Sequence, residues 1–164
     1  MVEMKSEPYT ITFGIIGAGR IGKLHADNLL SHVKGAKLKT VTDPFLDEEW
    51  AASRNIPVTG KDHRIMLDDP EIDAILIGSP SPEHAAQMIE CARAGKHIFC
   101  EKPIALDPDI IRNALAEVEK SGVKLQVGFN RRFDPNFAAV QELPLIYISE
   151  PTRRYAISYA VFCL

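Results

Sequence analysis

Three glycines and one carboxylate carry the most specific chemistry in this 164-residue chain. Gly17-Ala18-Gly19-Arg20-Ile21-Gly22 is a G-x-G-x-x-G pattern. It follows a β-rich apolar run (Ile11, Phe13, Ile15, Ile16) and leads into a helix-like segment. In that strand–turn–helix setting the pattern binds the diphosphate of a dinucleotide. Gly17 permits the tight turn, Gly19 lets backbone N–H groups approach a pyrophosphate, and Gly22 lets helix and strand pack closely. The first helical turn, opened by Arg20 and Ile21, adds unpaired N–H groups and the positive end of the helix dipole. The acid is Asp43, 21 positions past Gly22 and at the end of a second β-rich run, LKTVTD. A dinucleotide unit places an acid about 20 residues on, accepting hydrogen bonds from the adenosine ribose. Asp43 also stands before Pro44, where Asp forms turns, and the two roles are compatible. No arginine follows it to grip a 2′-phosphate, and its own charge repels one, so NAD is favoured over NADP.

The elements that must position these groups alternate along the chain. After Asp43, residues 46–55 read as a short helix, Val58-Thr59 as a brief strand and residues 62–67 as a helical turn. Ala74-Ile75-Leu76-Ile77 is a continuous apolar run, as expected of a parallel strand buried on both faces. It ends at Gly78-Ser79-Pro80-Ser81-Pro82. A helix is expected over residues 84–94, with Ala85, Met88, Ile89 and Ala92 on its core face and Gly95 at its end. Ile98-Phe99-Cys100 is the next strand. A helix starting at Asp107 or Pro108 carries Ile110, Ile111, Ala114, Leu115 and Val118 as its apolar stripe and stops at Gly122. Residues 124–129 form the sixth strand. Such alternation implies right-handed βαβ units, hence an α/β fold: a Rossmann-type doubly wound parallel sheet in one domain, followed by a short irregular C-terminal tail. The expected boundaries are 9–140 for the dinucleotide-binding domain and 141–164 for the remnant or start of another domain.

Ligands of such sheets bind beyond the carboxyl ends of the strands. The groups standing there are the glycines, Asp43, Ser79-Pro80-Ser81 with His84, Glu101-Lys102-Pro103, and Asn130-Arg131-Arg132. A lysine at a strand end beside a cofactor can hydrogen-bond a substrate hydroxyl and assist its proton transfer. The plainer reading of Lys102 is a solvated lysine paired with Glu101. A cis bond at Pro103 is one way to fix the direction of that lysine. His84 either touches the cofactor or is a satisfied polar residue at a helix start, and His25 reads as helix–loop packing. Arg131 and Arg132 are either a phosphate-binding pair or surface charge, with Asp134 available to neutralise one.

Bulk composition narrows the partners. The chain is 46% hydrophobic and 25% charged with net charge −3, ordinary for a globular protein and without the basic signature of nucleic-acid binding. Cys91, Cys100 and Cys163 lack C-x-x-C spacing, so neither a disulfide framework nor a metal site is indicated. With no signal peptide in view, a cytoplasmic setting is expected, and no run reaches the roughly 18 apolar residues of a membrane span.

Taken together, GIIGAGRIGKLHADNL, the Asp43 strand end, the Ser79-Pro80…His84 loop, GKHIFCEKPIA and GFNRRFDPNF resemble the N-terminal domain of the Gfo/Idh/MocA oxidoreductase family. The flavour is that of inositol 2-dehydrogenases and related cyclitol or sugar dehydrogenases, over residues 10–140. The resemblance implies a nicotinamide dinucleotide and hydride transfer at a secondary alcohol of a polyol or sugar. By the same resemblance Lys102 contacts substrate. Ser79, Pro80, Ser81, His84 and Glu101 line the nicotinamide side, and Asn130 and Arg131 are counted with the cofactor-binding set. Family members continue into a second α/β domain that supplies an Asp and a His to work with this lysine. Here no Asp-x-x-x-His spacing occurs, and all five histidines lie between His25 and His97. Residues 145–149 (LIYIS) read as the first strand of that second domain, and residues 150–164 match no motif of the family. The expectation is therefore an incomplete dehydrogenase, from a truncated or shifted reading frame, weakly active or inactive alone, with homo-oligomerisation left open. The rival expectation is a non-catalytic dinucleotide-binding module, a redox sensor or assembly subunit that docks a partner through its tail.

Overall fold

A computed structural model describes residues 10–137. The chain divides into two units, Met1–Gly128 and Phe129–Leu164. The readings of residues 138–164, including the LIYIS strand and the apolar end, lie outside the described residues.

The first unit contains six described strands: β1 (Ile11–Ile16), β2 (Ala36–Thr42), β3 (Val58–Gly60), β4 (Ala74–Ile77), β5 (His97–Cys100) and β6 (Leu125–Val127). All pair in parallel, in the order β3-β2-β1-β4-β5-β6. This is the doubly wound Rossmann arrangement. The helices are α1 (Arg20–Ser31), α2 (Glu48–Ser53), α3 (Arg64–Leu67), α4 (Ser81–Arg93) and α5 (Pro108–Ser121).

The alternation of side chains along each central strand feeds two cores. Ile15 of β1 and Leu76 of β4 join Ala26 and Leu29 of α1 on one face of the sheet. Ile16, Ile75 and Ile77 join Met88, Cys91 and Ala92 of α4 on the other. Both faces of β1 and β4 are thus covered, and every residue of β4 is buried. A strand of that kind must read as a continuous apolar run.

Local signals set several helix ends. Asp47 accepts a hydrogen bond from Trp50 N–H at the start of α2, and Asp107 accepts one from Asp109 N–H at the start of α5. Two expectations need correction. First, α4 begins at Ser81, not His84. Pro80 is the extended N-cap and Pro82 occupies the first turn, where a missing N–H costs nothing. Second, the apolar stripe of α5 is only partly buried. Ala114 and Val118 are buried, whereas Ile110 and Leu115 are 49% and 41% exposed. The core takes only a narrow line of α5, through Ala114 and Val118, and the flanks of the stripe face solvent.

Cys91 and Cys100 are fully buried, and burial pushes each thiol up from 9.0 to about 12. A thiolate is the reactive form, so both should be inert in the folded chain. In a Cys163→Ser background we expect no thiol to react with a disulfide reagent at pH 8 until denaturant is added. Fast reaction under native conditions would contradict the packing. The folded state holds both protons to about pH 12 while the unfolded chain releases them near 9.0, so these groups make stability fall as pH rises through that interval.

Candidate cofactor site

The order of strands reverses at β1, which pairs with β2 on one side and β4 on the other. The crevice beyond the carboxyl ends of β1 and β4 is where such sheets take ligands. The ladder continues one residue past each strand and sets the turn residues at one rim. Gly17 N–H donates to Thr42 C=O at 2.8 Å, Gly78 N–H to Ile16 C=O at 2.8 Å and Asp43 N–H to Gly60 C=O at 3.0 Å.

The three fingerprint glycines answer to different constraints. Gly17 has φ +91°, and a Cβ there would lie 2.6 Å from Ser79 N and 2.7 Å from Gly78 C. A Cβ on Gly22 would overlap the Gly17 carbonyl oxygen, with Gly17 C at 2.9 Å. Backbone geometry and packing therefore demand both. Gly19 is different. A Cβ there meets no protein atom within 4 Å, and its φ of −69° and ψ of −171° suit any residue. Gly19 lines a cavity of about 330 Å³. It is also the N-cap of α1, where no side chain caps the helix and no acid stands in the first turn. The fold gives no reason for glycine at this position; a ligand lying against the helix N-terminus gives one.

Asp43 is half-buried beside the glycine turn. Its Oδ2 accepts from Ala18 N–H at 2.7 Å and its Oδ1 from Phe45 N–H at 2.8 Å. The carboxylate is thus fixed by the turn it was expected to form while it lines the cavity, and both roles read from the sequence are compatible with the geometry. Ser79 and Pro80 line the same cavity. Arg20 and Ile21 open α1 directly after Gly19. Pro44, Phe45, Lys61, His63, Glu83 and Gln87 also line it, and sequence reasoning singled out none of them for this role. They come from loops after β2 and β3 and from one face of α4, and no motif announces them.

Four placements refine the expected set. His84 is 1% exposed; its Nδ1 lies 2.8 Å from Pro103 C=O and its Nε2 2.7 Å from Ser79 C=O. Each ring nitrogen faces a backbone carbonyl, one of which receives the ring N–H, and the ring is enclosed, so direct cofactor contact is corrected to a position between the Ser79 and Pro103 loops. Ser81 lies within the first turn of α4 and not in a loop. Glu101 pairs with His25 at 2.8 Å, and the His25 ring packs edge-on against Phe99 at 5.3 Å. His25 of α1 thus packs against the end of β5 and the loop after it through a polar pair as well as a ring contact; His25 and Glu101 are 76 positions apart, and nothing local links them. Gly128 makes room for this pair, since a Cβ there would lie 3.1 Å from Glu101 Oε1.

Lys102 follows β5, exposed, with its backbone N–H 3.2 Å from Glu101 Oε2 and a cis bond to Pro103. The plainer reading had Glu101 engaged by the Lys102 ammonium; the carboxylate is instead engaged by His25 and by backbone. Asn130 and Arg131 belong to the second unit. There they lie in a single 3-10 turn, Asn130–Phe133, and the Arg131 guanidinium stacks 5.0 Å from the Phe137 ring centroid.

A model of the oxidoreductase family GFO_IDH_MocA, NAD-binding Rossmann fold, matches residues 11–129. The chain belongs to this family. Within it, the chain is 50% identical over 135 residues to the uncharacterized oxidoreductase YrbE of Bacillus subtilis, covering 81% of this chain and 39% of that protein. It is 39% identical over 131 residues to myo-inositol 2-dehydrogenase of Thermotoga maritima, covering 79% of this chain and 39% of that enzyme. Among solved structures it is similar to scyllo-inositol dehydrogenase of Lactobacillus casei with bound cofactor NAD(H) and scyllo-inositol. There the TM-score is 0.76 at 35% identity, over 84% of this chain and 41% of the other. The chain thus spans about 40% of the length of these relatives. It is an oxidoreductase NAD-binding domain related to the inositol dehydrogenases of the Gfo/Idh/MocA family. Among the described residues, no helix is long and apolar enough to cross a membrane.

Proposed function

We propose that this chain is the cofactor-binding part of an NAD-dependent dehydrogenase that oxidises a secondary hydroxyl of a cyclitol or sugar. The observation that carries the cofactor half of the reading is Gly19, a glycine that packing and backbone leave unexplained at the mouth of the crevice. Gly17, Gly19, Arg20, Ile21 and Gly22 hold the diphosphate, and Asp43 accepts from the adenosine ribose. Ser79, Pro80, Ser81 and Glu101 flank the nicotinamide side. His84 acts through the two loops it ties together. When bound, a nicotinamide dinucleotide supplies the hydride acceptor.

The substrate half rests on the names of the inositol-dehydrogenase relatives and on Lys102. An exposed ammonium beside the cofactor rim suits contact with a substrate hydroxyl and movement of its proton. Turnover is proposed for the whole protein and cofactor binding for this chain. Weak or no turnover is expected of the chain alone, because it contains no Asp-x-x-x-His set.

Titration of the chain with NADH and with NADPH, followed by nicotinamide fluorescence, tests the reading. We expect saturable binding that favours NADH, because the Asp43 carboxylate repels a 2′-phosphate. Loss of charged hydrogen bonds to the ribose in Asp43→Asn should weaken NADH about tenfold or more and narrow the preference. Absence of saturable binding to either cofactor, or tighter binding of NADPH, would overturn the proposal.

A further inference from the structure

The cavity holds a polar relay that a diphosphate fingerprint does not require. Ser79 Oγ donates to Gln87 Oε1 at 2.6 Å, and Gln87 Nε2 donates to Glu83 Oε2 at 3.0 Å. All three residues line the cavity, and Gln87 is only 6% exposed. The direction of the relay is set by its far end. A carboxylate only accepts, so the Gln87 amide must turn its NH2 group to Glu83 and its oxygen to Ser79, which then has to donate. Glu83 and Gln87 are one turn apart on the same face of α4, and a negative charge in the first turn suits the helix dipole. The relay leaves the other carboxylate oxygen, Oε1, as an acceptor, so the ligand atom that Glu83 meets must be a donor.

Pro44 and Phe45 line the same cavity directly after Asp43, and the Phe45 side chain is 93% exposed. A flat apolar platform beside the ribose-binding acid suits a purine ring. We infer that Glu83, held by Gln87, reads the exocyclic amine of the adenine base and makes the cleft selective for 6-amino over 6-oxo purine dinucleotides. This rests on the dinucleotide binding proposed above. The 6-amine is the one donor group on the hydrogen-bonding edge of adenine. A 6-oxo purine places an oxygen lone pair there, facing the carboxylate, and leaves a polar group of the site without its partner.

The test compares NADH with reduced nicotinamide hypoxanthine dinucleotide on the 164-residue chain, since both report through the same nicotinamide fluorescence. The parent should bind NADH about tenfold more tightly or better. In Glu83→Gln, whose side chain both donates and accepts, the ratio should fall to within about threefold while the chain stays folded, with only a small drop in melting temperature from the lost first-turn charge. Equal affinity of the parent for the two cofactors, or an unchanged ratio in Glu83→Gln, would overturn the inference and leave dinucleotide binding standing. If neither cofactor saturates the parent, the binding proposal itself falls and the inference with it.

Discussion

Gly19→Asp should abolish saturable NADH binding while leaving the chain as stable as the parent or slightly more so. The two effects have opposite signs because they arise on different sides of the same atom. Toward the protein there is nothing to disturb: an added Cβ meets no atom within 4 Å, and φ −69°, ψ −171° is ordinary extended backbone. At the N-cap of a 12-residue helix with no side-chain cap, an aspartate accepts a first-turn N–H and complements the dipole. That contributes a few tenths of a kcal/mol to about 1 kcal/mol. Toward the cavity, the same carboxylate consumes the N–H groups a diphosphate would use and sets a negative charge against it. At about 4 Å and an effective dielectric of about 20, repulsion between unit charges is about 4 kcal/mol, a loss of some two to three orders of magnitude in affinity. The measurement is a paired one, a thermal melt and an NADH titration of the same sample. Retained tight binding would place the diphosphate elsewhere; a large drop in melting temperature would show that Gly19 serves the fold.

Gly22→Ala should do the reverse of what helix propensity predicts. Alanine in a helix interior is better than glycine by about 1 kcal/mol. Here the new methyl would overlap the Gly17 carbonyl oxygen, a backbone atom held in place because Gly17 N–H is bonded to Thr42 C=O at 2.8 Å. Relief requires α1 to lift from β1, which would part Ala26 and Leu29 from Ile15 and Leu76. Overpacking of this kind costs about 1–3 kcal/mol, and the rigidity of the contact puts the expectation at the top of that range or above. Urea unfolding followed by far-UV circular dichroism measures it. A midpoint equal to the parent's or higher would mean that the close approach of helix to strand is not required.

Much of this architecture was legible along the chain because it is encoded by neighbours. The burial of β4 on both faces is written in four consecutive apolar residues, Ala74–Ile77. The start of α5 is written in Asp107-Pro108 and its end in Gly122, which takes φ +69°. The glycines and Asp43 were legible as a candidate site because a nucleotide-binding turn would impose such spacing on one short stretch. The early start of α4 was missed because two prolines in five residues look like a break, although a proline in a first turn has no N–H partner to lose. The solvent-facing flank of α5 was missed because an apolar stripe does not say how wide a neighbour will cover it.

By itself, then, the sequence determined the strand–helix alternation, the glycine-rich turn and the acid beyond it, all consequences of local periodicity, backbone freedom and short-range spacing. Tertiary structure alone decided the rest. It paired His25 with Glu101, whose carboxylate also accepts from the Lys102 backbone N–H. It enclosed His84 between the Ser79 and Pro103 carbonyls, and it brought Lys61, His63, Glu83 and Gln87 to the wall of the cavity. The physical reason is the sheet order. Placing β4 beside β1 sets loops distant in sequence against one another, and contacts across that seam depend on no local signal.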